Sequence, residues 1–261
     1  MYALAALISF LATLLGAVFG IGGGVIIKPA LEAATGLALV HINALSGLTV
    51  LCMAAVSLSR YLKGGVRPDR KLLWLSLGAV GGGFLGKYLF DLMRLALPEH
   101  HAKLLQYALL ILLLGLALFK NKFKSLDIQN AAALVLSGLF MGTLSAFLGI
   151  GGGPINLLVI YAVLGLDAKR AAVYSVFVIL CSQLSMAGVT AVAGGYAGLD
   201  MRPLLAMIPA AVAGGLIGPA FHKKWELGRF ERYYNWLLWA LIALNAYNII
   251  SILAFPVQLV I

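Results

Sequence analysis

The chain has 261 residues, 62% of them hydrophobic and 11% charged, with a mean hydropathy of +1.02. A water-facing surface needs far more charge than this, so the composition excludes a soluble domain and indicates an integral membrane protein. The formal net charge of +10 would suit nucleic acid, but the Lys and Arg residues fall in short connections between apolar runs, where basic residues set topology, and no nucleic-acid partner is expected.

Apolar runs of about 17 to 25 residues can cross a bilayer as helices, which satisfy their own backbone hydrogen bonds. Ten segments are predicted, at roughly residues 2–19, 24–40, 42–62, 72–93, 102–119, 128–148, 154–166, 169–193, 203–221 and 233–255. Continuous apolar runs of this kind are not the short alternating segments of a β-barrel. The first segment lacks a positively charged start and matches the opening of the second half, so it is expected to be retained as part of the fold. Cys52 and Cys181 lie inside apolar segments and form no disulfide framework.

Between the first and second segments lies Gly20-Ile21-Gly22-Gly23-Gly24, and 129 residues later Gly149-Ile150-Gly151-Gly152-Gly153 repeats it. At the same offset Ser46 matches Ser175 and Leu51-Cys52 matches Leu180-Cys181, while Gly82-Gly83 with Gly86 matches Gly214-Gly215 with Gly218 at an offset of 132. Several matches in one order indicate a duplicated protein, with residues 1–125 and 126–261 as its two repeats forming one transmembrane domain.

The connections indicate how the copies are oriented. Arg60, Lys63, Arg67, Arg70 and Lys71 stand against Asp69 in one connection, whereas its repeat equivalent holds Asp200 and Arg202. The first is expected in the cytoplasm and the second outside. The stretch from Asp91 to Lys103 is balanced, while its equivalent carries His222, Lys223, Lys224, Arg229 and Arg232 against Glu226 and Glu231, so this pair also takes opposite sides. The joining connection, with Lys120, Lys122 and Lys124, reads as cytoplasmic. Both termini are then outside, and five segments per half make the second copy enter the membrane upside down. The expected fold is an all-α polytopic membrane protein of two inverted-topology repeats, with glycine-broken or re-entrant helices. The first two segments of each half can be full spans or a re-entrant hairpin with the glycines at its tip, because parity is the same either way. The short run from Pro154 to Leu166 favours a broken element. Interrupted, glycine-rich segments in inverted repeats are a feature of many secondary transporters, whose substrate sits where the halves meet.

A Gly-Ile-Gly-Gly-Gly run weakens a helix by roughly 1 kcal/mol per glycine relative to alanine, so each run is expected to break its helix and expose N–H groups at the start of the next. Pro154 suits a first helical turn, where no N–H partner is needed. Two such N-termini pointing at a shared midplane site would bind an anion. The competing reading is that the glycines only let helices pack closely. A nucleotide-binding loop does not fit, since no Gly-Lys-Ser/Thr follows either run.

The two motifs, Gly16-Ala17-Val18-Phe19-Gly20-Ile21-Gly22-Gly23-Gly24 and the stretch from Gly142 through Phe147-Leu148-Gly149-Ile150-Gly151-Gly152-Gly153-Pro154, together with the duplicated architecture, resemble the TauE/SafE family of sulfite and sulfonate exporters over nearly the whole chain. The resemblance implies transport of a small sulfur-containing oxyanion such as sulfite, sulfoacetate or a related organosulfonate. The family's proline shortly after each motif is Pro154 in the second half, but the first half has Lys28-Pro29, so the two half-sites are expected to be inequivalent.

The expected substrate-binding residues are Gly22, Gly23, Gly24, Lys28, Asn43, Ser46, Gly151, Gly152, Gly153, Asn156 and Ser175, with Glu32 as a possible coupling residue. Lys28 and Glu32 share a helix face at i, i+4 and can neutralise each other, as an anion-attracting lysine tuned by its neighbour or as a structural pair. Asn43, Ser46, Asn156, Ser175 and Gln183 can donate to oxyanion oxygens or bond between helices. Cys52 and Cys181 read as packing residues. Lys87 reads as snorkelling, His41 and Arg170 as interface anchors, and Tyr233, Tyr234, Trp236 and Trp239 as an interfacial belt.

The leading expectation is a cell-membrane exporter working by alternating access; an ion-coupled importer of another anion, or an anion channel, is the alternative. An intramembrane enzyme is not expected, because His41, His100, His101 and His222 sit at segment edges or in connections and no His-Glu-x-x-His or Gly-x-Ser-x-Gly motif occurs. No cofactor or metal is called for, the expected partners are the anion and lipid, and the sequence does not specify an oligomer.

Overall fold

The computed structural model describes residues 2–119 and 125–254, and among these there are ten α-helices and no strand. They are α1 (Tyr2–Phe19), α2 (Gly24–Thr35), α3 (Leu39–Lys63), α4 (Arg70–Ala96), α5 (Glu99–Leu118), α6 (Ala131–Leu148), α7 (Gly153–Leu164), α8 (Ala168–Val192), α9 (Leu204–Lys224) and α10 (Leu227–Ala254). Eight are long and apolar enough to cross a membrane. The polarity is that of a bundle in lipid: Val192 and Trp236 are 93% and 71% exposed, whereas Ser46, Asn156 and Gln183 are fully enclosed. Lys120, Lys122 and Lys124 lie outside the described residues.

Helices α2 and α7 have 12 residues each, about 18 Å at 1.5 Å per residue, too short for a hydrocarbon core of about 30 Å. Each is the second arm of a hairpin. Leu126 N–H bonds Ala162 O and Ile128 N–H bonds Val163 O, at 2.8 and 2.7 Å, which ties the end of α7 to the chain leading into α6. The end holding connections 64–69, 125–130, 165–167 and 225–226 is clamped by Lys71 on Asp127 at 2.8 Å, Tyr174 on Asp69 at 2.7 Å and Lys169 on Trp225 O at 2.6 Å. The Lys71 ammonium holds the exposed Asp127 carboxyl below its ordinary range. At the opposite end Glu99 accepts from Leu39 N–H at 2.8 Å, and His41 bonds Asp200 O at 2.7 Å. The α6–α7 hairpin therefore enters from the first, basic end. The α1–α2 hairpin enters from the other, since α1 runs alongside α9 in the same direction, Thr13 facing Gly214 and Ala17 facing Gly218.

Packing partners exchange between the halves. α4 packs on α6 and α8, as α9 packs on α1 and α3; α5 meets α10, and α3 meets α8. Small residues make these approaches close. A β-carbon on Gly78 would lie 2.0 Å from Val135 O, and one on Gly138 would lie 1.9 Å from Leu75 O. The glycines Gly78, Gly82 and Gly86 of α4 thus interlock with Gly138 and Gly142 of α6, the four-residue spacing putting each set on one face.

Several expected boundaries move. α4 and α5 extend to Ala96 and from Glu99, leaving two residues between them, so Lys103 is a buried helical residue and not part of a connection. Of the residues expected to form a belt, Tyr233, Trp236 and Trp239 are exposed, but Tyr234 is fully buried against Phe19 and Phe230. His222 is likewise buried in the last turn of α9.

Gly138→Leu is expected to force α4 and α6 apart and lower the unfolding midpoint in detergent by the equivalent of about 1–3 kcal/mol or more. Gly115→Leu, where an added β-carbon meets nothing within 4 Å, should leave the midpoint nearly unchanged.

Candidate functional site

The site is built around the two glycine runs, which become the tips of the two hairpins. Gly22 and Gly23 have φ of 82° and 63°, and Gly151 and Gly152 have φ of 74° and 97°, a region L side chains rarely enter. Space imposes the same choice. A β-carbon on Gly22 would lie 2.6 Å from Gly151 O, and one on Gly24 would lie 2.5 Å from Ile150 O. The tips meet backbone to backbone, flanked by Val50 and Ile179, which lie near the middle of α3 and α8. α2 and α7 start at this contact and run to opposite ends of the bundle.

Breaking a helix inside a membrane leaves its last carbonyls without partners, at a cost of several kcal/mol each. Side chains from other elements satisfy them. At the end of α1, Tyr61 donates to Ala17 O and His222 bonds Val18 O, both at 2.8 Å. At the end of α6, Gln106 donates to Phe147 O at 2.8 Å and Lys28 donates to Leu148 O at 2.7 Å. The matched serines complete the pattern crosswise: Ser175 donates to Gly20 O at 2.5 Å and Ser46 to Gly149 O at 3.2 Å. Gly22 O and Gly23 O accept from Gly24, Ile26 and Ile27. The N–H groups of Gly22, Gly23, Gly151 and Gly152, by contrast, donate to no acceptor among the described residues. Gly20 O, Gly22 O and Gly23 O of the first tip and Gly149 O of the second are thus occupied, while the N–H groups of Gly22, Gly23, Gly151 and Gly152 stay free.

Other unused polar groups lie beside the tips. Asn156, one turn into α7, is fully enclosed, and neither its Oδ1 nor its Nδ2 has a partner. Its amide stands where a β-carbon on Gly152 would be. Asn43 Oδ1 is unpartnered beside Gly149. Gln183 donates to Ser145 Oγ at 3.2 Å, with Ser182 Oγ 3.2 Å from the same hydroxyl, while its Oε1 has no partner. Buried unpaired groups cost about 1–3 kcal/mol each, so this cluster marks a place suited to a polar ligand.

The structure brings together Gly22, Gly23, Gly24, Gly151, Gly152, Gly153 and Asn156, with Asn43 at the edge. Ser46 and Ser175 touch the site through its backbone, because each hydroxyl proton is already taken by a glycine carbonyl. Lys28 departs from its expected pairing. Its ammonium bonds Gln106 Oε1 and Leu148 O, placing a cation at the negative end of α6. Glu32 pairs instead with Lys103 at 2.8 Å, and Lys103 also meets Glu99 at 3.2 Å and Leu37 O at 3.4 Å. Sequence reasoning missed Lys103, Gln106, Tyr61 and His222 as site supports. The available signal was spacing: Glu99, Lys103 and Gln106 are four and three residues apart, one helix face.

Lys103→Met is expected to leave Glu32 charged and unpaired in an enclosed position and to destabilise the protein by about 3–5 kcal/mol, with Glu32→Gln in the same chain restoring most of the loss. Unfolding of both variants in detergent would show this; equal loss in the single and double variants would contradict it.

Residues 5–245 match the family model described as sulfite exporter TauE/SafE. No curated protein and no solved structure matches. The match covers most of the chain, including both hairpins and every residue placed around their tips. The chain belongs to the sulfite exporter TauE/SafE family.

Proposed function

We propose that the protein is a secondary transporter that exports a small sulfur-containing oxyanion, such as sulfite or an organosulfonate, across the cell membrane by alternating access. The observation that carries this reading is the set of glycine N–H groups left free at both hairpin tips, beside the unpartnered amide of Asn156. An anion placed there would accept from N–H groups of both halves and face the positive ends of α2 and α7, each worth about half an elementary charge. Asn156 would supply a further donor. The family match supports the substrate class.

In this reading residues 1–125 and 126–261 are inverted repeats, with the basic end in the cytoplasm and both termini outside. Each tip bonds to a serine of the other half, so a shift of one half against the other would move the tips and expose the anion to alternate sides. Membrane potential favours export: with the interior negative, each exported negative charge gains about 2.3 kcal/mol per 100 mV, so no coupled ion is needed. Glu32, held by Lys103, then braces α2 and need not carry a proton.

Asn156→Leu separates a ligand role from a packing role. If the amide serves the anion, the variant should be at least as stable as the wild type when empty, yet lose about tenfold or more in apparent affinity for sulfite or sulfoacetate in proteoliposome flux. Wild-type flux with unchanged affinity would remove Asn156 from the site, and no saturable flux of any sulfur oxyanion by the wild type would overturn the functional reading.

A further inference from the structure

A cavity with charged and polar groups in a partly apolar lining lies between the tips and the end of the bundle opposite the basic one. Its volume is about 220 Å³, and its lining includes Asn43 of α3, Lys87, Asp91 and Arg94 of α4, and Thr190 of α8. Lys87 and Arg94 against Asp91 leave one net positive charge. Lys87 is 14% exposed and bonds both carboxylate oxygens of Asp91 one turn on, so it is held within the protein and does not snorkel outward. Arg94 has no carboxylate within ion-pair distance among the described residues; its guanidinium lies 5.9 Å from the Phe90 ring centroid. At the inner end of the space, Asn43 is 5% exposed and makes no hydrogen bond among the described residues, its Oδ1 fully enclosed beside Gly149. A charged rim, an unpaired arginine and an unsatisfied buried amide thus lie in sequence from the bundle end to the second glycine tip.

We infer that this cavity is an outer anion vestibule, in which Arg94 gathers a small oxyanion and Asn43 relays it between the cavity and the tip at Gly149. The inference rests on the transport reading and adds to it a second, weaker binding position on the outer side. The two halves differ here. The repeat equivalent of Asn43 is Ala172, and at the offset of 132 Lys87, Asp91 and Arg94 correspond to Pro219, Lys223 and Glu226, so the other half does not carry the same arrangement. One net charge, carried by the exposed Arg94 at the mouth of a cleft with low-dielectric walls, raises local anion concentration and lowers that of cations.

The test uses Thr190→Cys in a chain carrying Cys52→Ala and Cys181→Ala, expressed in cells. Impermeant methanethiosulfonate reagents carrying either a sulfonate or a trimethylammonium group are applied from outside. The expected result is reaction with both, with a sulfonate-to-ammonium rate ratio on the order of tenfold above that of a small thiol in solution. The ratio should collapse in Arg94→Gln and survive in Arg94→Lys. No reaction from outside, a ratio equal to that of the free thiol, or a ratio that Arg94→Gln leaves unchanged would each overturn the vestibule. Flux by the wild-type protein is measured separately. Flux with a flat ratio removes the vestibule alone, whereas a raised ratio without flux of any sulfur anion removes the transport reading.

Discussion

The contact on which the molecule depends is backbone against backbone, Gly22 on Gly151 and Gly24 on Ile150. No side chain fits between the tips, and left-handed φ values on both sides exclude anything but glycine without strain. To place two chain reversals beside the middle of α3 and α8, the protein must end α1 and α6 within the bundle and satisfy the carbonyls that this frees. Tyr61, His222, Gln106, Lys28, Ser46 and Ser175 are accounted for by that requirement alone. The caps differ in chemistry between the halves. A tyrosine and a histidine close α1, and an ammonium and an amide close α6, so helix breaks of the same kind are closed by different side chains.

The buried charges have the same origin. A lysine within the bundle looks at first like an anion receptor. Its bonds to Leu148 O and Gln106 place it at the negative end of a helix, where it caps the chain. Lys103 does comparable work between Glu32 and Glu99, tying α5 to α2 and to the start of α3. Neither ammonium is free to hold a ligand, which leaves the glycine N–H groups and Asn156 as the unoccupied donors at the tips.

Much of this was legible from the sequence. The offset of 129 between the glycine runs is also the offset between α1 and α6, α2 and α7, and α3 and α8, end for end. The short run after Pro154 indicated a broken element, and α7 is one. The matched serines, expected to bind substrate, lie against the tips with carbonyls of the opposite half as partners, a relation that spacing within one half does not encode. The Lys28 and Glu32 pairing failed for a related reason: helical spacing suggests i, i+4 partners, whereas the winning partners, Gln106 and Lys103, come from α5, more than seventy residues away. Lys103 was hidden by a helix boundary, since starting α5 at residue 102 makes it look like the end of a connection.

The central claim is that the free N–H groups at the meeting tips hold an oxyanion. The most direct measurement is anomalous diffraction from crystals of the purified protein equilibrated with selenite, the heavier congener of sulfite. The account predicts a selenium peak within hydrogen-bond reach of the N–H groups of Gly22 or Gly23, Gly151 or Gly152, and the amide of Asn156. A saturating concentration that gives no peak beside the tips, or one only at the protein surface, would contradict it.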